Sequence, residues 1–90
     1  MRISASLSNA SAIHDVTLRT ADKAQSLAVA AKATGGGSAV NGGEFLMLAL
    51  ATCYCNDLYR EAQRLGLTLD EVHVEASAAF AGIGLAASNI

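Results

Sequence analysis

Two thiols stand two residues apart in the run "ALATCYCNDLYREA", at Cys53 and Cys55, inside a stretch with the composition of a helix. Cysteine supplies redox, nucleophilic or metal-binding chemistry, and spacing decides among them. On a helix, residues i and i+2 point about 200° apart, so these two sulfurs diverge. A disulfide needs Cβ atoms roughly 3.5–4.5 Å apart on converging vectors. Cys53 and Cys55 therefore read as two separate thiols, and the same divergence opposes a shared metal. With His14 and His73 the ligand types match a two-Cys two-His zinc site, but their spacing follows no zinc pattern. No metal and no other cofactor is expected. Each thiol is then either a small buried hydrophobe or a reactive group. Helical spacing stacks Cys53 over Leu46, Leu50, Asp57 and Arg60. Arg60 would favour a Cys53 thiolate only through the intervening Asp57.

Other chemistry-bearing residues have plainer uses. Glu44 could serve as a catalytic carboxylate, yet it lies three residues after Asn41, where it completes a variant of the helix capping box. The glycines from Gly37 to Gly43 half-imitate a phosphate loop, but the lysine and hydroxyl that bind phosphate and magnesium are missing. A flexible connector allowing close backbone approach is the better reading. His73 falls on the polar side of a strand pattern. His14 shares its face with Val16 and Leu18 and reads as a satisfied, partly buried imidazole before a general base.

The elements that must position these residues follow from periodicity. Ile3, Ala5 and Leu7 alternate with serines, and His14, Val16 and Leu18 alternate with Asp15, Thr17 and Arg19, which predicts two half-buried strands. A turn is expected at Asn9-Ala10-Ser11, a second across residues 20–23, and a third strand over residues 25–30. After the glycine loop, residues 34–43, the pattern predicts a helix from Gly42 to Leu65, stopped by Gly66. Residues 45–55 are apolar on nearly every side, so that half should be buried all round, with a partner subunit or missing chain covering what three strands from one chain cannot. A clear alternation over residues 72–80 predicts a further strand. The chain then softens into "AGIGLAASNI".

Ninety residues allow one small domain, and 52% hydrophobic side chains give it an apolar core of mostly small groups. Alanine removes little area from water, at roughly 25 cal/mol per Å². A marginal monomer is expected, with association as the remedy. Net charge is −2 and the six basic residues are scattered, which opposes a nucleic-acid partner. The longest apolar run is far short of the roughly 20 residues that span a bilayer, so no membrane partner is expected. Two unpaired thiols fit a reducing, cytoplasmic setting.

The run "SAVNGGEFLMLALATCYCNDLYREAQRLGLTLDEVHVEASAAF" resembles the OsmC-like family, which includes the organic hydroperoxide resistance proteins. Asn41 matches that family's asparagine after the glycine-rich loop, Glu44 its last acidic position there, and Cys53 its helix cysteine. Cys55 is an addition, as in an uncharacterised branch. The resemblance covers about half the chain in detail. It implies an α+β fold with N-terminal antiparallel strands, a long central buried helix and a further strand, in two subunits that intertwine. It also implies reduction of organic hydroperoxides by a thiolate, resolved by a second cysteine and assisted by an Arg and a Glu. No cysteine follows Cys55 in the sequence, so resolution would fall to a small external thiol or dithiol or to residues absent here. The family glutamate corresponds to Gly43, and the one-residue shift to Glu44 turns a helical side chain by about 100°. Arg19 is the local candidate for the arginine, although its register does not clearly match. Because family members continue with further strands and a second helix, the chain is expected to be the N-terminal part of that fold. A non-catalytic dimeric module binding a small apolar ligand or partner is the alternative function.

Overall fold

A computed structural model describes residues 1–82, 87, 88 and 90. It has mixed α+β character and divides into two compact units, Met1–Asn41 and Gly42–Ile90. No helix among the described residues is long and apolar enough to cross a membrane.

The first unit is a three-stranded antiparallel sheet of β1 (Ile3–Ala10), β2 (Ile13–Thr20) and β3 (Lys23–Ser26), in that spatial order. Strand β1 runs to Ala10, two residues further than the expected turn allows. The reversal falls on Ser11-Ala12, both with positive φ, 49° and 69°. Positive φ at both central residues is the type I′ geometry whose twist suits a two-residue hairpin. The register that follows sets Leu7 opposite Val16 and Ala5 opposite Leu18. Residues directly opposite share a sheet face, so the two apolar alternations meet on one side. The second reversal is Ala21-Asp22, since Thr20 pairs with Lys23. That corrects the third strand: it occupies Lys23–Ser26 and not residues 25–30. The chain leaves the sheet there because Ala30 and Lys32 bond to the returning glycine segment instead. Ala39 N–H donates to the Ala30 carbonyl (2.9 Å), Lys32 N–H donates to the Gly37 carbonyl (2.9 Å), and Ala31 bridges Ser38. The glycine-rich stretch is thus a second, smaller hairpin whose tip passes through Gly35, Gly36 and Gly37, all at positive φ.

The second unit is built on α1 (Gly42–Arg64). Its C-terminus is a Schellman arrangement: Leu67 N–H reaches the Ala62 carbonyl (2.8 Å) and Gly66 N–H the Gln63 carbonyl (3.2 Å). Gly66 has φ +71°, a conformation that costs an L-residue roughly 1 kcal/mol or more. Along the helix Gly43, Met47, Ala51, Cys55 and Leu58 are half-buried and Ala62 is buried. Steps of three and four place them on one stripe. Residues 69–78 bury alternate positions, Val72, Val74, Ala76 and Ala78 among them, and Val74 lines a cleft of about 220 Å³ with Ala51, Thr52, Cys55 and Asn56.

One expectation is corrected in this unit. The strand expected over residues 72–80 is in a ladder only as β4 (Ala79–Phe80), paired with β5 (Ala87–Ser88). The alternation is present over residues 71–78 as alternate burial, but it has no ladder partner among the described residues. Within the single chain Leu48 is 55% and Tyr54 60% exposed, and Leu46 and Leu50 are exposed too, so the cover expected over residues 45–55 would have to come from a partner subunit or missing chain. One extended segment can cover only one stripe of a helix. Half of the stretch expected to soften after Phe80, residues 83–86 and 89, falls outside the described residues.

Two stability tests follow. Replacing Ser11-Ala12 by Asn-Gly should stabilise the hairpin by about 1–2 kcal/mol, seen as slower amide exchange across β1 and β2. Gly66→Ala should destabilise the helix end by about 1 kcal/mol, read as earlier loss of helical circular dichroism on heating.

Candidate functional site

The helix places the two thiols differently. Cys53 is exposed, whereas Cys55 is half-buried on the packed stripe and lines the cleft beside Val74. Both are free cysteines. The two-residue step that separates their directions by about 200° thus also separates their surroundings.

Around Cys53 the helical neighbours are Ala49 and Leu50 one turn before, Asn56 and Asp57 one turn after, and Leu46 two turns before. Leu46, Leu50 and Tyr54 are exposed, so the thiol lies on an apolar helix face turned outward. Polar character begins at Asp57, whose carboxylate accepts a hydrogen bond from Arg60 Nη1 at 2.5 Å. Both partners are well exposed, and an exposed pair of this kind contributes little to stability. Its local effect is to commit the Arg60 guanidinium to a carboxylate. The next turn repeats the motif: Arg64 donates through Nε (2.9 Å) and Nη2 to Glu61. That hydrogen bond raises the Arg64 pKa further above its ordinary value.

Of the remaining residues proposed from sequence, Glu44 lies in the first helical turn. Nine residues separate it from Cys53, which turns it to about the opposite side of the helix. Arg19 is exposed on β2, opposite Ala24 of β3, and belongs to the other unit. Within the helical unit, then, Cys53 has Asp57 and Arg60 on its own side and Glu44 on the far side. Among the described residues no three His, Cys, Asp or Glu side chains are grouped to hold a metal ion.

A polar node that sequence reading missed lies in the sheet unit. Asn9 sits directly across from His14, and its amide Nδ2 approaches His14 Nδ1 at 3.0 Å. The same amide donates to the Gly37 carbonyl (3.2 Å), and its Oδ1 accepts from Gly37 N–H (3.1 Å). His14 is half-buried, and its Nε2 is buried with no hydrogen-bond partner. Reading Asn9 as part of the turn hid this. Once the turn is placed at residues 11–12, positions 9 and 14 are necessarily opposite. His14 also lines an open wedge of about 850 Å³ with Val16, Leu27 and Val29, where the chain parts from β2.

The exposure difference sets an expectation for thiol chemistry. Under native conditions iodoacetamide should modify Cys53 at least about tenfold faster than Cys55, since only an accessible thiol reacts, as read by peptide mass spectrometry over time. Equal rates would mean that the helix stripe does not protect Cys55. No protein-family model matches this chain, and neither a curated protein nor a solved structure is significantly similar to it.

Proposed function

We propose that the chain is an OsmC-like protein that reduces organic hydroperoxides through Cys53, acting as a homodimer. The observation that carries this reading is the exposed Cys53 thiol on an outward-facing apolar stretch of helix, beside the residues that resemble the family's helix. In the first step the Cys53 thiolate attacks a peroxide oxygen. An S–O bond forms, the O–O bond breaks, and the alkoxide takes a proton to leave as the alcohol. Cys53 is left as a sulfenic acid. A small external thiol condenses with it, releasing water and leaving a mixed disulfide. A second thiol then restores Cys53 and leaves as the external disulfide. Cys55 takes no part, because its sulfur diverges from Cys53. The exposed leucines suit the hydrocarbon part of an organic hydroperoxide better than hydrogen peroxide.

Exposed apolar side chains on α1 support the dimer: Leu46, Leu48 and Leu50 are 45%, 55% and 42% exposed. The second reading, a non-catalytic module for a small apolar ligand, is favoured by one observation: the cation nearest in sequence on the Cys53 side, Arg60, is held by Asp57.

Peroxide chemistry separates the two. Reduced protein treated with cumene hydroperoxide should form a dimedone-trappable sulfenic acid at Cys53 well ahead of free cysteine, and Cys53→Ser should abolish it. If Cys53 is lost no faster than free cysteine, the ligand-binding reading stands instead. For the assembly, Leu48→Glu, on the exposed helix side turned away from Cys53, should shift the sedimentation coefficient from dimer to monomer.

A further inference from the structure

The geometry of Asn9, His14 and Gly37 points to a proton-controlled latch that holds the glycine hairpin on the sheet. Gly37 has both its backbone groups engaged by one side chain: its N–H donates to Asn9 Oδ1 at 3.1 Å and its carbonyl accepts from Asn9 Nδ2 at 3.2 Å. A backbone N–H can only donate and a carbonyl can only accept, so Gly37 fixes which end of the Asn9 amide is oxygen. The NH₂ end is then the one that meets His14 Nδ1 at 3.0 Å. Nδ1 must accept, so it carries no hydrogen, and the neutral imidazole bears its proton on Nε2. That Nε2 is buried and unpartnered.

Protonating His14 places a hydrogen on Nδ1 and faces it with the two hydrogens of the Asn9 amide. Turning the amide over would give His14 an oxygen. It would also set NH₂ against the Gly37 N–H and oxygen against the Gly37 carbonyl. No orientation of Asn9 therefore serves a charged His14 and Gly37 together. The new charge is also shared with the buried Nε2, which has nothing to bond. Ring protonation and hairpin docking exclude each other, so the hairpin is docked where His14 is neutral and is released where it gains a second ring proton.

The charged groups around the node are few. Lys32 of the hairpin runs alongside Gly37, its Nζ 3.8 Å from where a Cβ on Gly37 would stand. Lys32 thus brings a cation to the Gly37 side of the latch. Asp15 follows His14 on β2 but points to the other sheet face, opposite Ser8. The facing end of β1, residues 8–10, and residues 27–30 carry no charge. Release would free the hairpin stem and open the wedge that His14 lines with Leu27 and Val29. The inference stands apart from the thiol reading.

Nuclear magnetic resonance on the full chain tests it. The Gly37 amide protection factor, corrected for intrinsic exchange, should fall about tenfold, one hydrogen bond's worth, in step with titration of the His14 C2 proton. In Asn9→Ala, Gly37 should be unprotected at both ends of that titration, and in His14→Phe the step should vanish. Gly37 protection that is equal on both sides of the wild-type His14 titration overturns the proposal, as does a step that persists in His14→Phe. The wild-type titration decides the matter alone if either variant fails to fold.

Discussion

The constraint on which this structure turns is a shortage of cover. Among the described residues only Ala62 is buried, and it brings one methyl group to the core. Ile3 and Leu7 share a sheet face with Val16 and Leu18, yet remain 67% and 68% exposed. The helix has one packed stripe and turns its remaining apolar residues outward. Burial of apolar surface is the main favourable term in folding. Chain-ordering entropy opposes it at roughly 1–2 kcal/mol per residue. A sheet with one apolar face and a helix apolar on several sides are both surfaces prepared for another surface.

Much of the local structure was legible because it is encoded in adjacent residues. The serine alternation in β1, the polar alternation in β2, and the helix from Gly42 with its Gly66 stop each rest on a few neighbouring side chains. What was not legible depended on where a turn closes. Placing the first turn at residues 9–11 instead of 11–12 loses the Asn9–His14 pair. Treating residues 20–23 wholly as turn pushes the third strand two residues too far. In both turns the residue at positive φ is an alanine or serine, not the glycine or asparagine that ordinarily marks such a position. Local propensity therefore pointed away from the actual turns, and the cross-strand register overrode it.

Elsewhere the pattern stated a need without naming what meets it. Alternation over residues 72–80 encodes an extended segment with two unlike faces, and burial over 71–78 follows that alternation. A ladder requires a second strand, and no property of one strand's sequence supplies it. The all-round apolarity of residues 45–55 likewise encodes a demand for enclosure. The chain meets it along the Gly43–Ala62 stripe and leaves Leu46, Leu48 and Leu50 outward. These are two forms of one shortfall among the described residues, an extended segment without a ladder partner and a helix side left exposed.

The same reasoning bears on the thiols. A cysteine on a packed stripe is held by its neighbours and chemically quiet, whereas one on an open apolar face takes its character from whatever later covers that face. Cys55 belongs to the first kind, since residues 69–78 already cover its side of the helix. Cys53 belongs to the second. If the covering surface brings a cation, the thiolate is favoured and Cys53 becomes a nucleophile. If it brings only hydrocarbon, burial favours the neutral thiol. Arg60 cannot decide this from within the helix, because Asp57 already holds it. The reactivity of Cys53 therefore turns on the chemistry that meets this open helix face, not on the helix that carries it.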